Sequence, residues 1–167
     1  MSLQANKDQF LHLIQHNKKL IFKVCNTYCS DPEDRKDLVQ EVIIQLWRSY
    51  GSYNDKYKLS TWMYRIALNT AISFYRSDNK RRNNTTSMHE NIIDIPDDDN
   101  SQELNEKIAM LYQFIGNMNK LDKALMILYL DNNSYKDMAD ILGISETNVA
   151  TKISRLKQYL KHQFVKA

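Results

Sequence analysis

Two pairs of residues at helical spacing are the clearest candidates for metal chemistry. His12 and His16 lie four residues apart, as do Cys25 and Cys29, so each pair would project from one face of a helix. Imidazole and thiolate are ligands that zinc prefers. If residues 7–29 form one helix, however, His16 and Cys25 lie about 13 Å apart along its axis, too far to share one ion. We therefore favour two buried thiols and two surface histidines over a metal site.

The sequence contains no recognisable catalytic motif. No histidine stands beside a nucleophile or a carboxylate pair in a known arrangement, and no glycine-rich loop could cradle a phosphate. We therefore predict that the protein is not an enzyme and uses no cofactor.

A segment near the C-terminus has the residue types of a DNA-binding helix-turn-helix. Ser134 is placed to cap a short helix, and Gly143 falls where a tight turn favours positive φ. Ser145 is placed to cap the next helix, and the small Ala139 suits the point where the two helices cross. The second helix would bury an apolar stripe made of Val149, Ile153, Leu156 and Leu160.

The outer face of that second helix carries polar and basic residues. Short polar groups near its N-terminus can reach base edges, while lysine and arginine can reach phosphates or guanine. A purely structural hairpin would not need the small residue, the glycine and the cap together with such a face. We predict a DNA-binding surface made of Ser145, Glu146, Thr147, Asn148, Thr151, Lys152, Arg155 and Lys157.

Charge is divided unevenly along the chain. Residues 1–82 carry a net charge of +6, residues 83–106 carry −7 with no lysine or arginine, and residues 107–167 carry +4. Two basic segments around an acidic spacer suggest two units that face a polyanion. The acidic run cannot bury enough apolar surface to order itself.

The composition favours helices and no membrane segment. Three glycines and two prolines are few for folds with many tight turns. No stretch approaches 18 apolar residues, and the N-terminus lacks the apolar core of a signal peptide, so we expect a cytoplasmic protein without membrane insertion. We predict an all-α fold of two small helical domains, residues 1–82 and 104–167, joined by an acidic flexible linker, residues 83–103.

The N-terminal domain should contain at least three helices. An amphipathic first helix is followed by one that Asp31 caps, with Pro32 at its first position. Leu38, Val42 and Leu46 recur at helical spacing and should point inward.

Further helix boundaries follow from similar signals along the chain. Ser60 is a plausible cap for a helix from Thr61 to about Asp78. In the C-terminal domain we expect helices over residues 103–117 and 121–130, followed by a turn at residues 131–133.

Taken together, these motifs resemble the extracytoplasmic-function class of bacterial sigma factors, of the sigma-70 family. The resemblance covers residues 8–82 and 104–163. It rests on DLVQEV at residues 37–42, on LSTWMYRIALN at residues 59–69, and on the helix-turn-helix. Arg is frequent in the family where Leu68 stands here.

The resemblance implies roles for two surfaces of the N-terminal domain. The helix with Asp37, Gln40, Glu41, Gln45 and Trp47 would bind the clamp helices of RNA polymerase. The residues that would engage the promoter −10 element are Tyr53, Tyr57, Trp62, Tyr64, Arg65, Asn69, Arg76, Lys80, Arg81 and Arg82. For Trp62 a core position is an equal alternative, and the last three basic residues would contact backbone phosphates.

The implied function is transcription initiation. Such a factor binds core RNA polymerase and promoter DNA, recognises −10 and −35 elements and promotes strand opening, and an anti-sigma factor is a further partner that the resemblance allows. The alternative is a stand-alone helix-turn-helix regulator that binds duplex DNA as a dimer. That alternative leaves the surface between Asp37 and Trp47 unexplained.

Overall fold

The structure, a computed structural model, describes residues 3–54, 56–79 and 102–166. The regular structure in these ranges is entirely helical, which confirms the all-α prediction. Its helices are α1 (Leu3–His16), α2 (Lys18–Tyr28), α3 (Pro32–Tyr50), α4 (Leu59–Asn79), α5 (Gln102–Gly116), α6 (Lys120–Leu130), α7 (Tyr135–Leu142) and α8 (Glu146–Lys166). None of the described helices is long and apolar enough to cross a bilayer.

The chain divides into two compact units, Met1–Thr85 and Thr86–Ala167. Their boundary falls within the segment predicted as a linker. Most of that segment lies outside the described residues, and its last two residues, Gln102 and Glu103, form the first turn of α5.

The predicted amphipathic first helix is divided into two helices, α1 and α2, because the chain breaks at Asn17. The Asn17 backbone N–H donates to the Ile14 carbonyl at 3.2 Å, one residue short of the regular helical bond. Its side-chain Nδ2 donates instead to the Leu13 carbonyl at 2.8 Å. The Asn17 side chain thus takes the place of its own backbone N–H as donor to the Leu13 carbonyl. The helix is interrupted at this residue, and α1 and α2 are separate.

The start and the buried face of α3 confirm the prediction. Asp31 Oδ1 accepts hydrogen bonds from the backbone N–H groups of Glu33 at 2.9 Å and Asp34 at 3.0 Å, and Pro32 is the first helical residue. The predicted inward-facing residues, Leu38, Val42 and Leu46, are all buried.

Helix α4 packs against both α2 and α3 and completes the core of the N-terminal unit. It begins at Leu59, and the Trp62 N–H donates to the Lys58 carbonyl at 3.1 Å. Ser60 therefore lies inside the first turn, and the prediction that it caps the helix is wrong. Met63 and Ala67 on the inner face of α4 are fully buried.

The C-terminal unit packs α8 against α5, α6 and α7. Asn119 caps α6 by accepting a hydrogen bond from the Asp122 N–H at 2.9 Å. The expected turn after α6 is present: Asn132 has φ of 60°, and Asn133 Nδ2 donates to the Leu128 carbonyl at 3.0 Å. This turn ends α6 and leads the chain into α7.

Gly143→Ala should destabilise the C-terminal unit by about 1–2 kcal/mol, the cost of a left-handed conformation for an L-residue. Gly143 has φ of 70°, and a Cβ there would meet no atom within 4 Å, so the cost is conformational strain alone. Urea denaturation followed by circular dichroism measures it. Gly51→Ala is the matched control, because Gly51 has open space and a right-handed φ of −67°. Equal stability of the Gly143→Ala variant and the parent would contradict this account.

Candidate functional site

The outer face of α3 combines acidic, amide and apolar groups. Asp37 and Gln40 are exposed, and Gln45 Nε2 donates to Glu41 Oε1 at 2.9 Å on the same helix. Trp47 is 41% exposed, unusually open for its size. The five residues predicted for polymerase binding thus reach the surface, the two hydrogen-bonded ones being partly buried.

Sequence reasoning missed one apolar residue on this face. Ile44 is 43% exposed, because it lies two residues from both Val42 and Leu46 and so points away from the core. The spacing of Ile44 from the buried Val42 and Leu46 already predicts an outward position, but the unbroken apolar run at residues 42–44 concealed it.

A second surface joins the loop before α4 to the first turns of that helix. The rings of Tyr53 and Trp62 lie 4.9 Å apart between centroids. The guanidinium carbon of Arg65 lies 5.2 Å from the centroid of the Tyr57 ring, and the Tyr53 hydroxyl donates to the Tyr57 carbonyl at 3.4 Å. The structure therefore brings four of the predicted −10 residues into one aromatic and basic cluster.

The other predicted −10 residues have different positions. Tyr64 is completely buried, so its side chain cannot reach DNA, and the prediction that it does is wrong. It lies three residues before Ala67 and four before Leu68, both buried, and so shares their inward face. Trp62 is partly buried, so it lies between the two positions expected for it, the DNA-contacting surface and the core. Asn69 is exposed on α4.

The remaining basic residues of this set lie at or beyond the end of α4. Arg76 is a residue of α4. Lys80, Arg81 and Arg82 lie outside the described residues, so their contact with phosphates stays a prediction.

The C-terminal helices have the predicted helix-turn-helix geometry. Ser134 Oγ accepts a hydrogen bond from the Asp137 N–H at 3.0 Å and caps α7. Gly143 ends α7 in the left-handed conformation, and Ser145 Oγ accepts from the Asn148 N–H at 3.1 Å and caps α8. The apolar stripe of α8 is buried throughout: Val149, Ile153, Leu156 and Leu160.

Most of the predicted DNA-reading residues lie exposed along α8. The Thr151 hydroxyl donates to the Thr147 carbonyl at 3.0 Å, which keeps that side chain close to the helix. Lys152 is partly buried. The exposed members of the predicted set besides Lys157 are Ser145, Glu146, Thr147, Asn148, Thr151 and Arg155.

Lys157 departs from the predicted single face. Its ammonium lies 4.7 Å from the centroid of the Tyr129 ring of α6, and a hydrogen bond with Tyr129 raises the pKa of Lys157. Two residues separate it from Arg155, which turns the two side chains about 160° apart around the helix. The two side chains therefore do not share one face of α8, and a DNA contact by Lys157 stays a prediction.

The residues considered for a metal site do not share a surface. His12 and His16 are exposed on α1 with ring centroids 4.1 Å apart, whereas Cys25 is fully buried and Cys29 partly so. Within the described ranges, no three or more histidine, cysteine or acidic residues are grouped so as to hold a metal ion.

Cys25 should resist thiol reagents that modify Cys29 in the folded protein. Burial raises the pKa of the Cys25 thiol from 9.0 to about 12, and the nearby Cys29 adds to the rise. At pH 8 a thiol reagent should therefore modify one cysteine per folded chain and both cysteines in urea. The Cys29→Ser variant should show almost no rapid reaction, and equal rates for the two thiols would contradict the structure.

The same shift predicts a loss of stability at high pH. An unfolded Cys25 would ionise near its ordinary pKa of 9.0, while the folded state keeps it protonated up to about 12. The contribution of this group to stability is therefore full below pH 9 and falls as the pH rises toward 12. Comparison with Cys25→Ala isolates this contribution from other groups that titrate in the same range.

Comparison with known proteins gives matches to both units. The family model for sigma-70 region 2 matches residues 13–82, and that for sigma-70 region 4 matches residues 108–160. The chain is similar to the ECF RNA polymerase sigma-E factor of Haemophilus influenzae, with 25% identity over 96% of this chain and 89% of that protein. It is 29% identical to the RNA polymerase sigma factor YlaC of Bacillus subtilis, over 81% of this chain and 80% of that protein.

Solved structures show the same fold. The sigma factor RpoE of Bartonella quintana, in complex with the anti-sigma factor NepR, has a TM-score of 0.72 at 18% identity, over 92% of this chain and 95% of that one. CnrH, in complex with the cytosolic domain of CnrY, has a TM-score of 0.69 at 17% identity, over 96% of this chain and 90% of that one. The two family models cover well over half of the sequence, in the order in which the two motifs were found. The chain therefore belongs to the extracytoplasmic-function class of the sigma-70 family, the RNA polymerase sigma factors that direct transcription initiation.

Proposed function

We propose that the two units divide the work of initiation between three surfaces. The outer face of α3 docks on core RNA polymerase, the cluster of Tyr53, Tyr57, Trp62 and Arg65 engages the −10 element, and α8 reads the −35 element. The observation that carries this proposal is the α3 face, where a 41% exposed Trp47 stands among polar groups. Large aromatic residues are enriched at protein interfaces, and a DNA-binding domain acting alone has no need of this one.

The −10 cluster has the chemistry needed to hold an unpaired base. Stacking of a base on an aromatic side chain contributes about 1–3 kcal/mol, and a nearby cation attracts the backbone. Tyr57 is 46% exposed with Arg65 over its ring, so a base can stack on the accessible part of the same ring. Strand opening then draws its free energy from polymerase binding and base capture, without bond chemistry in this chain.

Two further properties accompany this role. The protein acts in the cytoplasm, where its polymerase and its promoters are found. An anti-sigma factor is a further partner, a proposal supported by the similar structure of RpoE in complex with the anti-sigma factor NepR.

Reconstituted transcription tests the proposal. Core RNA polymerase with this chain should start transcripts from a subset of genomic fragments, and core enzyme alone should not. Failure both to bind core enzyme and to direct initiation from any fragment would refute the proposed role. Specific binding of duplex DNA by a dimer without polymerase would instead support the stand-alone regulator, which the comparisons do not favour.

A further inference from the structure

Phe10 links α1 to the proposed polymerase-docking face of α3. It lies in the part of α1 that precedes the family match, which begins at residue 13. Its side chain is 4% exposed, although its chain neighbours Gln9 and Leu11 are both exposed. Helix α1 therefore directs one aromatic ring into the N-terminal unit at this point.

The partners of Phe10 are two aromatic rings near the end of α3. Its centroid lies 4.9 Å from that of Trp47 and 5.4 Å from that of Tyr50, with interplanar angles of 62° and 59°. Trp47 and Tyr50 are nearly parallel to each other at 6.3 Å. Such tilted contacts are the geometry that aromatic pairs prefer, so one phenylalanine braces both rings.

Trp47 packs on Phe10 and also remains accessible to a binding partner. With 41% of its surface exposed, part of the indole packs on Phe10 and the rest faces outward. A large side chain on a helix surface otherwise samples several rotamers, and a partner that binds one of them must bear the entropy of fixing it. Because Phe10 already holds the ring in one orientation, the entropy of fixing the Trp47 rotamer is lost on folding and not on binding.

We propose that Phe10 is a positioning residue for polymerase docking: it holds Trp47 in the orientation that core RNA polymerase binds. The inference rests on the proposed function of the α3 face. It assigns α1 a role in affinity, although Phe10 itself is too buried to contribute much contact surface to the complex.

Phe10→Leu tests the inference, because it keeps an apolar side chain of similar size and removes the ring. We expect the Kd for core RNA polymerase to rise about 3- to 10-fold, the range for releasing one immobilised side chain. The chain has two tryptophans, so a Trp62→Phe background makes Trp47 the single tryptophan, which long-wavelength excitation selects over the ten tyrosines. In that background Phe10→Leu should increase acrylamide quenching of Trp47 and lower its anisotropy.

Two comparisons separate positioning from a general loss of stability. Ile21→Val removes one methylene from a 2% exposed residue of α2 and should leave the core-enzyme affinity and the Trp47 signal near those of the parent. Phe10→Leu should add no further loss of affinity in a Trp47→Ala background, because the group it positions is gone.

The outcomes also distinguish this inference from the function on which it rests. An equal effect of Phe10→Leu with and without Trp47, or an unchanged Kd, would overturn the positioning role while Trp47→Ala alone still weakened binding. If the parent chain did not bind core enzyme, both the inference and the proposed function would fail.

Discussion

The double substitution Gln40→Ala with Trp47→Ala should weaken binding to core RNA polymerase by about 30-fold or more. Interface tryptophans that act as hot spots contribute about 2 kcal/mol or more when truncated, which corresponds to that factor. Trp47 is 41% exposed and Gln40 is exposed, so the double substitution removes mainly surface groups, together with the part of the indole that packs on Phe10. Fluorescence or interferometric titration with purified core enzyme measures the change.

Phe22→Ala is the matched control for this prediction. Phe22 is an aromatic residue of the same unit with a similar exposure, 46%, but it belongs to α2 and not to the α3 face. It should bind core enzyme within about twofold of the parent if affinity depends on that face. If Phe22→Ala weakened binding as much as the double substitution, the docking surface would extend to α2 or lie there. If the double variant kept its affinity for core enzyme and instead lost recognition of the −35 element, the proposed division of labour would be wrong.

Local signals in the sequence predicted the helix ends with the greatest success. Asp31 before Pro32, Ser134 before α7 and Ser145 before α8 each cap a helix as expected, since a cap needs only the three or four residues that follow it. Gly143 is equally local, because its left-handed conformation is set by the turn it makes.

Two boundaries were missed for reasons that are also local. Asn17 carries no strong break signal, yet its amide satisfies the Leu13 carbonyl and lets the backbone turn. Ser60 looks like a cap, but the helix begins one residue earlier, and the Lys58 carbonyl already accepts from Trp62. In each case a competing hydrogen bond decided between two conformations that the residue types alone leave open.

Tyr64 and Lys157 differ from their predicted placement for two reasons, helical phase and contact with a residue distant in the chain. Tyr64 was assigned to DNA from the family resemblance, although its helical phase with Ala67 and Leu68 places it in the core. Lys157 meets Tyr129 of α6, a contact between residues far apart in sequence that no local pattern contains. The Phe10–Trp47 contact is of the same kind. Residue type therefore indicated the chemistry of each surface, while packing decided which side chains belong to it.

Leu68 shows how packing can account for a departure from the family pattern. It is 2% exposed on the inner face of α4, where the N-terminal unit buries apolar side chains from three helices. An arginine at this position of this chain would have to bury its charge or move its backbone. The exposed Asn69 beside it is therefore a better candidate than residue 68 for reading a −10 base.

Arg155→Ala should weaken binding of the assembled polymerase to −35 promoter DNA by about 10-fold or more. Arg155 is exposed on α8 beside the polar residues of the first two turns, and a bidentate contact of arginine with guanine contributes about 1–3 kcal/mol. A titration with −35 duplexes of varied sequence measures both affinity and specificity. Loss confined to one base position indicates a base contact, whereas a uniform loss with a reduced salt dependence indicates a phosphate contact.

Lys157→Ala is the matched control, since it removes a cationic side chain two residues away on the same helix. The Lys157 ammonium lies over the Tyr129 ring, on the side of α8 that faces α6, so we expect less than about a twofold change in affinity. A loss equal to that of Arg155→Ala would show that both cations contact DNA and that the side of α8 assigned to recognition is wrong. A clear difference between two cations so close in sequence would establish which face of α8 reads the promoter.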